Sequence, residues 1–426
     1  MRDFSSSPDT MRETLGVRNR LAGRRTAWVQ FMFGLAAVVA LAGFAWLLGL
    51  SLSVAGLLLV GLAGIWIVLA DRFMRDLGGV PVLTWHSVSE DTAWLPWADQ
   101  IAVSPATLNR QLAILSKMKM QVIDTVDFLK LRLAGATMPS DVVVLHFDDG
   151  YLDNWVAAAA ILQRHRMCAT VFVSLDFIAA DGPLRPSTAQ PASTLQWQGY
   201  MNWSELAALE NGAFGGVFRV EPHGVDHARI VTGPKVVGRL TAANWRRLVW
   251  VQWAKTPGDK HRWFTHSTPW AVPLGSAVHE SDGALAAPGW TESKGRESQH
   301  DYVARVQRDL AACRTAFAER LGKQPRVFCW PQNLTSPLAR DIAVQEGFWG
   351  TTGGRGANRL GEDPSVISRL HVGARCAGFY WPWADDLALR ASIRCFQGNQ
   401  YWYLPLAALG ALKAVTRRFA PQVGPR

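Results

Sequence analysis

The chain has 426 residues, 49% hydrophobic and 18% charged, which excludes a disordered protein and leaves ample apolar material for a large core. It carries 44 basic and 34 acidic residues, a net charge of +10, so a nucleic-acid partner has to be located or dismissed. Most of the excess sits at the ends: Arg2, Arg12, Arg18, Arg20, Arg24 and Arg25 against Asp3, Asp9 and Glu13, and then Lys413, Arg417, Arg418 and Arg426 with no acid from residue 401 on. The remaining body carries only +3, too little for the basic stripe of a nucleic-acid binder, so no such partner is expected.

Residues 1–25 read as a basic tail, and from Thr26 to Ala70 the chain runs 45 residues without a charge. One helix of that length would extend about 68 Å, more than twice the roughly 30 Å hydrocarbon core of a bilayer. The expectation is therefore a transmembrane helical hairpin over 26–72, with spans at about 27–48 and 53–70 and a turn at Gly49-Leu50-Ser51-Leu52-Ser53. A signal peptide fits poorly, since its apolar region is only about 7–15 residues long. Positive residues resist translocation, so the N-terminus is expected in the cytoplasm, and two crossings return the chain there past Arg72 and Arg75. That places the following domain on the cytoplasmic side of a bacterial-type inner membrane. Five cysteines, an odd number without a close CxxC pair, agree with reduced thiols.

Beyond residue 79 strand-like and helical patterns alternate. The strands are Val80–Trp85, Val142–Phe147, Ala169–Ser174, Val217–Val220, Arg326–Trp330, Phe348–Thr351 and Val366–His371. The helices are Pro105–Met118, Asp153–His165, Trp203–Leu209, Asp301–Leu321 and Pro337–Glu346, with Ser204 and Ser336 as candidate caps. Continuous apolar strands separated by helices predict a parallel α/β architecture with both sheet faces covered. Polar residues gather at the C-terminal strand ends, where such folds place their chemistry: His86, Asp148 and Asp149 before Gly150, His223 with His227, Trp330 and His371.

Taken singly, each of these has a structural reading. Together they suit a metal. Two histidines at i and i+4 on a helical turn can share one cation, and a carboxylate completes a three-ligand set that leaves a position for water. A second aspartate beside the ligand supplies a base, and Gly150 allows the sharp turn that lets adjacent carboxylates converge. The chemistry suited is hydrolysis of an amide or ester carbonyl.

Three stretches carry a family resemblance: Pro81-Val-Leu-Thr-Trp-His86, Leu145-His-Phe-Asp-Asp-Gly-Tyr151 and Glu221-Pro-His-Gly-Val-Asp-His227, supported by Ala169–Val173, Asn202–Leu206 and Phe328–Pro331. Through them the sequence resembles the polysaccharide deacetylases with a NodB-type domain, carbohydrate esterase family four, over about residues 79–227 and 301–375. The resemblance implies a distorted (β/α)7 barrel within a catalytic domain at 79–385. It implies that Asp149, His223 and His227 hold a divalent metal, usually Zn2+, and that Asp148 is the general base. The backbone N–H of Tyr151 would help hold the oxyanion, and His371 is the candidate acid. His86, Tyr151, Trp330 and Arg369 are candidate substrate contacts, and Arg326 and Arg369 are alternatives for the arginine that pairs with the base. His146, Gly224 and Pro331-Gln-Asn depart from the family's usual Thr or Ser, Ser or Thr, and Pro-Tyr-Gly.

Residues 228–300 form an insertion too long for an ordinary connection. Its Trp245, Trp250, Trp253, Trp263, Trp270 and Trp290, with Arg246, Arg247, Lys255, Lys260 and Arg262, suit either a satellite core or a surface for sugar rings and a phosphate or lipid headgroup. Residues 386–426 read as a basic amphipathic segment, suited to an anionic headgroup layer or to a final barrel helix. The expected protein is a membrane-anchored N-deacylase acting on an amino-sugar glycan or an undecaprenyl-linked saccharide, with membrane lipids as further partners. The alternative is a catalytically weak scaffold or glycan-binding subunit of a polysaccharide synthesis complex.

Overall fold

The computed structural model describes residues 8–49, 51–73, 78–190 and 194–419. Arg2 and Asp3 of the basic tail, Leu50 of the expected turn, Arg75 of the flank and Arg426 lie outside the described residues. The chain divides into two compact units, one of Val82–Gly354 with Asp363–Ala374, the other of the residues up to Pro81 with Arg355–Glu362 and Arg375–Phe419.

The larger unit is α/β. Its central sheet is parallel throughout, with Val82–Trp85 between Leu370–His371 and Val142–Phe147, followed by Ala169–Val173 and Phe218–Pro222. A short strand, Gln121–Val122, also pairs with Val142–Phe147. Val142–Phe147 is buried at every position, which explains why all its residues except His146 are apolar. A second parallel sheet holds Val327–Phe328, Gly350–Gly354 and Val366–Ser368. Cys329 donates its N–H to Pro222 O at 3.0 Å across the gap between the sheets. The Glu221 carboxylate accepts from the N–H groups of Arg326 and Val327 at the same joint.

The helices start where side chains can satisfy their first N–H groups. Ser104 caps Pro105–Lys117, Asp124 caps Thr125–Leu133, and Ser336 caps Pro337–Gln345 as expected. For Trp203–Glu210 the cap is Asn202 rather than Ser204, in a reciprocal capping box with Glu205. The insertion has a fold of its own: an antiparallel ribbon of Arg229–Arg239 with Ala277–Gly283, the intervening chain packing Trp245, Trp253 and Trp263 into apolar clusters.

In the smaller unit a helix spans Pro8–Leu47, so the basic tail and the start of the apolar run are one rod, and a second helix spans Leu52–Phe73. Within the first, the 27-residue stretch Leu21–Leu47 has a mean hydropathy of 1.9 and is only 11% buried, long and apolar enough to cross a membrane. Gly56–Trp66 of the second is a shorter apolar stretch. The helices Pro382–Gln397 and Tyr403–Phe419 complete the unit.

Candidate metal centre

Asp148 and Asp149 follow the buried strand Val142–Phe147, and the chain then reverses through two left-handed residues, Asp149 at φ 73° and Gly150 at φ 67°. Gly150 is required twice over, for this φ and because a Cβ there would lie 2.7 Å from Val173 Cγ1. The turn separates the adjacent carboxylates, one toward Arg369 and the other toward the histidines.

The histidine pair does not sit on a helical turn, as its spacing suggested. His223 follows the strand Phe218–Pro222, and the chain loops through Gly224 at φ 79° to His227 at φ 49°. A β-carbon at Gly224 would meet Pro331 Cγ at 3.3 Å, which accounts for glycine where a hydroxyl residue was expected. Main-chain bonds hold the loop, from Leu175 N to Gly224 O and from Asp176 N to Val225 O. Val225 N also donates to both oxygens of half-buried Asp309, at 3.3 and 3.2 Å.

His223 Nδ1 lies 2.9 Å from Cys329 O. A carbonyl can only accept, so Nδ1 carries the hydrogen, and Nε2 is the nitrogen turned toward Asp149 and the one a cation would take. Asp149 Oδ1 is 3.3 Å from His223 Nε2 and 3.4 Å from His227 Nε2, and it is buried with no well-formed hydrogen bond among the described residues. Three donor atoms, all within 4.8 Å of one another, thus face a common point, an arrangement a cation resolves. The residues fit a divalent metal.

Beside this point, Arg369 Nη1 donates to both oxygens of Asp148, at 2.7 and 2.8 Å. Burial alone would raise the Asp148 pKa. Arg369, with help from His223 and His86, brings it down to about 2. Arg326 instead stacks over Trp349, so of the two candidate arginines it is Arg369 that pairs with Asp148. Asn333 Oδ1 accepts from Arg369 Nε at 3.1 Å and from Gly353 N at 3.1 Å, fixing the guanidinium. His86 Nε2 is 3.8 Å from Asp148 Oδ2, and burial lowers its pKa to about 4, so the ring is neutral near pH 7. The ring of His371 lies 5.1 Å from that of His86, with its Nε2 2.9 Å from Gln100 O.

All of these groups open into one cavity of about 570 Å³. Its other wall comes from Trp97, Tyr151, Phe177 and Tyr200, with Arg247, Trp250 and Trp253 of the insertion.

Residues 135–246 match the family described as Polysaccharide deacetylase. The chain carries a polysaccharide deacetylase domain. No curated protein matches the chain. Among solved structures it is similar to a de-N-acetylase from Aggregatibacter actinomycetemcomitans, at 21% identity over 68% of this chain and 94% of that one, with a TM-score of 0.46. It is also similar to the BpsB deacetylase domain from Bordetella bronchiseptica, at 17% identity over 70% and 96% with a TM-score of 0.45. A third is IcaB from Ammonifex degensii, at 16% identity over 70% and 92% with a TM-score of 0.44.

Of the residues singled out from the sequence, the larger unit brings Asp148, Asp149, His223, His227, His86, Tyr151, Arg369 and His371 to the cavity. Trp330 is the exception. It is 0% exposed, packed on Phe328 in a cluster with Phe348 and Tyr302, and it belongs to the core rather than to a substrate surface. His146 is likewise a core residue, fully buried beside Thr125 and against Phe172. Sequence reasoning missed Asp309 and Gln100, which act on the histidine loop and on His371, and noted Asn333 only as part of the departure at Pro331-Gln-Asn, without its bond to Arg369. It also missed Asn154, whose Nδ2 donates to His86 O at 2.8 Å. None of these four contacts carried a local signal.

Proposed function

We propose that this chain is a membrane-anchored, metal-dependent hydrolase that removes an N-acyl group, acetyl or formyl, from an amino sugar of a glycan or lipid-linked glycan. The supporting observation is the convergence of Asp149 Oδ1, His223 Nε2 and His227 Nε2 beside an arginine-held carboxylate in one cavity. These three residues would hold the ion, and two imidazoles with one carboxylate suit Zn2+. When bound, such an ion polarises an acyl carbonyl and makes water nucleophilic near neutral pH.

The chain's own residues do the rest. Asp148, ionised and held by Arg369 at both oxygens, accepts the proton of the attacking water. Arg369 keeps that carboxylate from swinging onto the histidines. The N–H of Tyr151, just past the Gly150 turn, is the proposed oxyanion donor. Cleaving the C–N bond requires a proton on the departing nitrogen, since an amide anion is too poor a leaving group. His371 is the proposed acid. With Nε2–H donating to Gln100 O, the proton given to the departing nitrogen would come from Nδ1 of the doubly protonated ring, which returns to the neutral form. Aromatic faces from Trp97, Trp250 and Trp253 are offered to the sugar rings. A binding-only subunit would have no use for an arginine-held base beside three ligands.

The two parallel sheets are read as a distorted (β/α)7 barrel. The helices Pro8–Leu47 and Leu52–Phe73 are read as a two-span hairpin, with the N-terminus and the deacetylase domain on the cytoplasmic side. The test is metal analysis of purified protein together with amine release from N-acetylglucosamine oligomers, with and without chelator. Near-stoichiometric metal is expected in the wild type and its loss in His223→Ala, with turnover abolished by chelation. Metal retained in His223→Ala would refute the ligand assignment. A topology reporter at the C-terminus decides the side of the membrane.

A further inference from the structure

We propose that Phe379, Tyr380, Trp381 and Trp383 form a second membrane-contact site of the smaller unit, entering the headgroup layer of an anionic bilayer. The proposal rests on the membrane attachment inferred above and adds to it a contact at a distance from the apolar helices. Four aromatic side chains within five residues are 38–61% exposed. They are also ordered against one another, Phe379 and Trp381 stacking at 5.9 Å and 11° and Trp381 meeting Trp383 at 5.5 Å. An exposed cluster of this kind is costly in water and marks a contact surface.

The platform is rigidly held. Trp381 is the N-cap residue and Pro382 the first residue of the helix Pro382–Gln397, which sets the direction of the chain. On its other side Gly378, at φ 92°, lies so close to the helix Tyr403–Phe419 that a β-carbon would overlap Thr416, whose hydroxyl donates to Ala377 O at 3.0 Å. The aromatics are therefore fixed beside the end of that helix which bears Lys413, Arg417 and Arg418. Aromatic rings next to a group of cations are the chemistry of an anionic interface. Ala408, Ala411 and Val415 give the same helix an exposed face without charge.

The other end of this helix marks the level of the first contact. Tyr403 lies under the Arg24 guanidinium at 4.3 Å, and Gly23 faces Gln400 closely enough that a β-carbon would stand 2.8 Å from its Cγ. Arg24 stands two residues before the uncharged run, and Trp28 and Trp66 are exposed on the two apolar helices. Trp and Tyr gather at such boundaries. A helix of 17 residues extends about 25 Å, so one lying along the membrane surface would bring the platform down well away from the hairpin.

The test places a photoreactive benzophenone amino acid singly at positions 383, 39 and 360 of the full chain in vesicles of phosphatidylethanolamine and phosphatidylglycerol. Val39 is an exposed position of the first apolar helix and Leu360 an exposed position elsewhere in the unit. Phospholipid adducts are expected at 383 and 39, with none at 360. An adduct at 39 without one at 383, or equal yields at 383 and 360, overturns the platform while leaving the membrane anchor intact. Adducts at neither 383 nor 39 overturn the anchor as well. Capture of added N-acetylglucosamine oligomer at 383 in place of lipid would make the platform a sugar-binding surface and overturn the proposal.

Discussion

The two walls of the cavity are built by different means. On one side Asp148, Asp149, His223 and Arg369 stand at or just beyond the ends of parallel strands, with Asp148 bonded to Arg369 and His223 to Cys329 O. On the other, Trp97 stacks on Trp263 at 5.6 Å, and Trp253 packs edge-on against Phe177 and Trp263, joining a segment near residue 95 to the insertion. The first wall is polar, directional and intolerant of small displacements. The second is apolar and held by area. Substitutions on the two walls should therefore fail differently, the first in turnover and the second in substrate affinity or folding.

The largest effect, after outright loss of the metal ligands, is expected for Asp148→Asn. Turnover should fall by about 10³-fold, within the range for a lost general base, with metal content unchanged. Metal lost along with turnover would move Asp148 into the ligand set and erase its distinction from Asp149. Arg369→Met should cost about 10–100-fold, as a lost charge-assisted pair does. Because Arg369 depresses the Asp148 pKa, removing it raises that pKa, so any acid limb due to Asp148 must move to higher pH. A limb that stays in place or moves down would show that the guanidinium does not act on the base.

A matched pair of tryptophans sharpens the contrast. Trp330→Ala should lower stability by about 3–5 kcal/mol, as expected of a fully buried aromatic, and leave KM of the folded enzyme unchanged. Trp250→Ala, on the cavity wall, should raise KM by about 2–10-fold with little change in Tm. Reversed outcomes would return Trp330 to the substrate surface.

The smallest effect concerns Asp153, buried beneath the site, where burial raises its pKa to about 7 despite bonds from Ser87, Val88 and Asn154. Between about pH 4 and pH 7 the unfolded carboxyl is ionised while the folded one holds its proton. Unfolding then releases a proton, and stability falls as pH rises through that window before levelling off. Asp153→Asn can keep the same three partners without titrating, so its urea midpoint should fall less steeply than that of the wild type over this range. Equal slopes in the two proteins would refute the raised pKa.

Much of this was legible in the chain itself. Each expected strand has a counterpart within a few residues, because strands buried on both faces leave apolar runs such as Val142–Leu145. The residues proposed as ligands and base stood out in the sequence because Asp-Asp-Gly and the histidine pair are compact and unusual. The reason given for the pair was nonetheless wrong: His223 and His227 converge through a left-handed loop at Gly224, where spacing alone suggested a helical turn. Trp330 was misplaced because a tryptophan at a strand end looks the same whether it faces a cavity or the core.

The amino-acid order by itself determined the alternating α/β pattern, the long uncharged N-terminal run and the identity of the groups that meet at the metal centre. These depend on local periodicity and on side-chain chemistry, both of which a linear text records. Only the tertiary structure decided that Arg369 rather than Arg326 holds the base, and that Asn333 and Asp309 brace the site from 36 residues and 84 residues away along the chain. It alone assigned Trp253 and Trp263 to a packed cluster beside the cavity. Partners so distant in sequence are chosen by where strands and helices come to rest, and neither hydrogen bonds nor aromatic packing of that kind leaves a local trace.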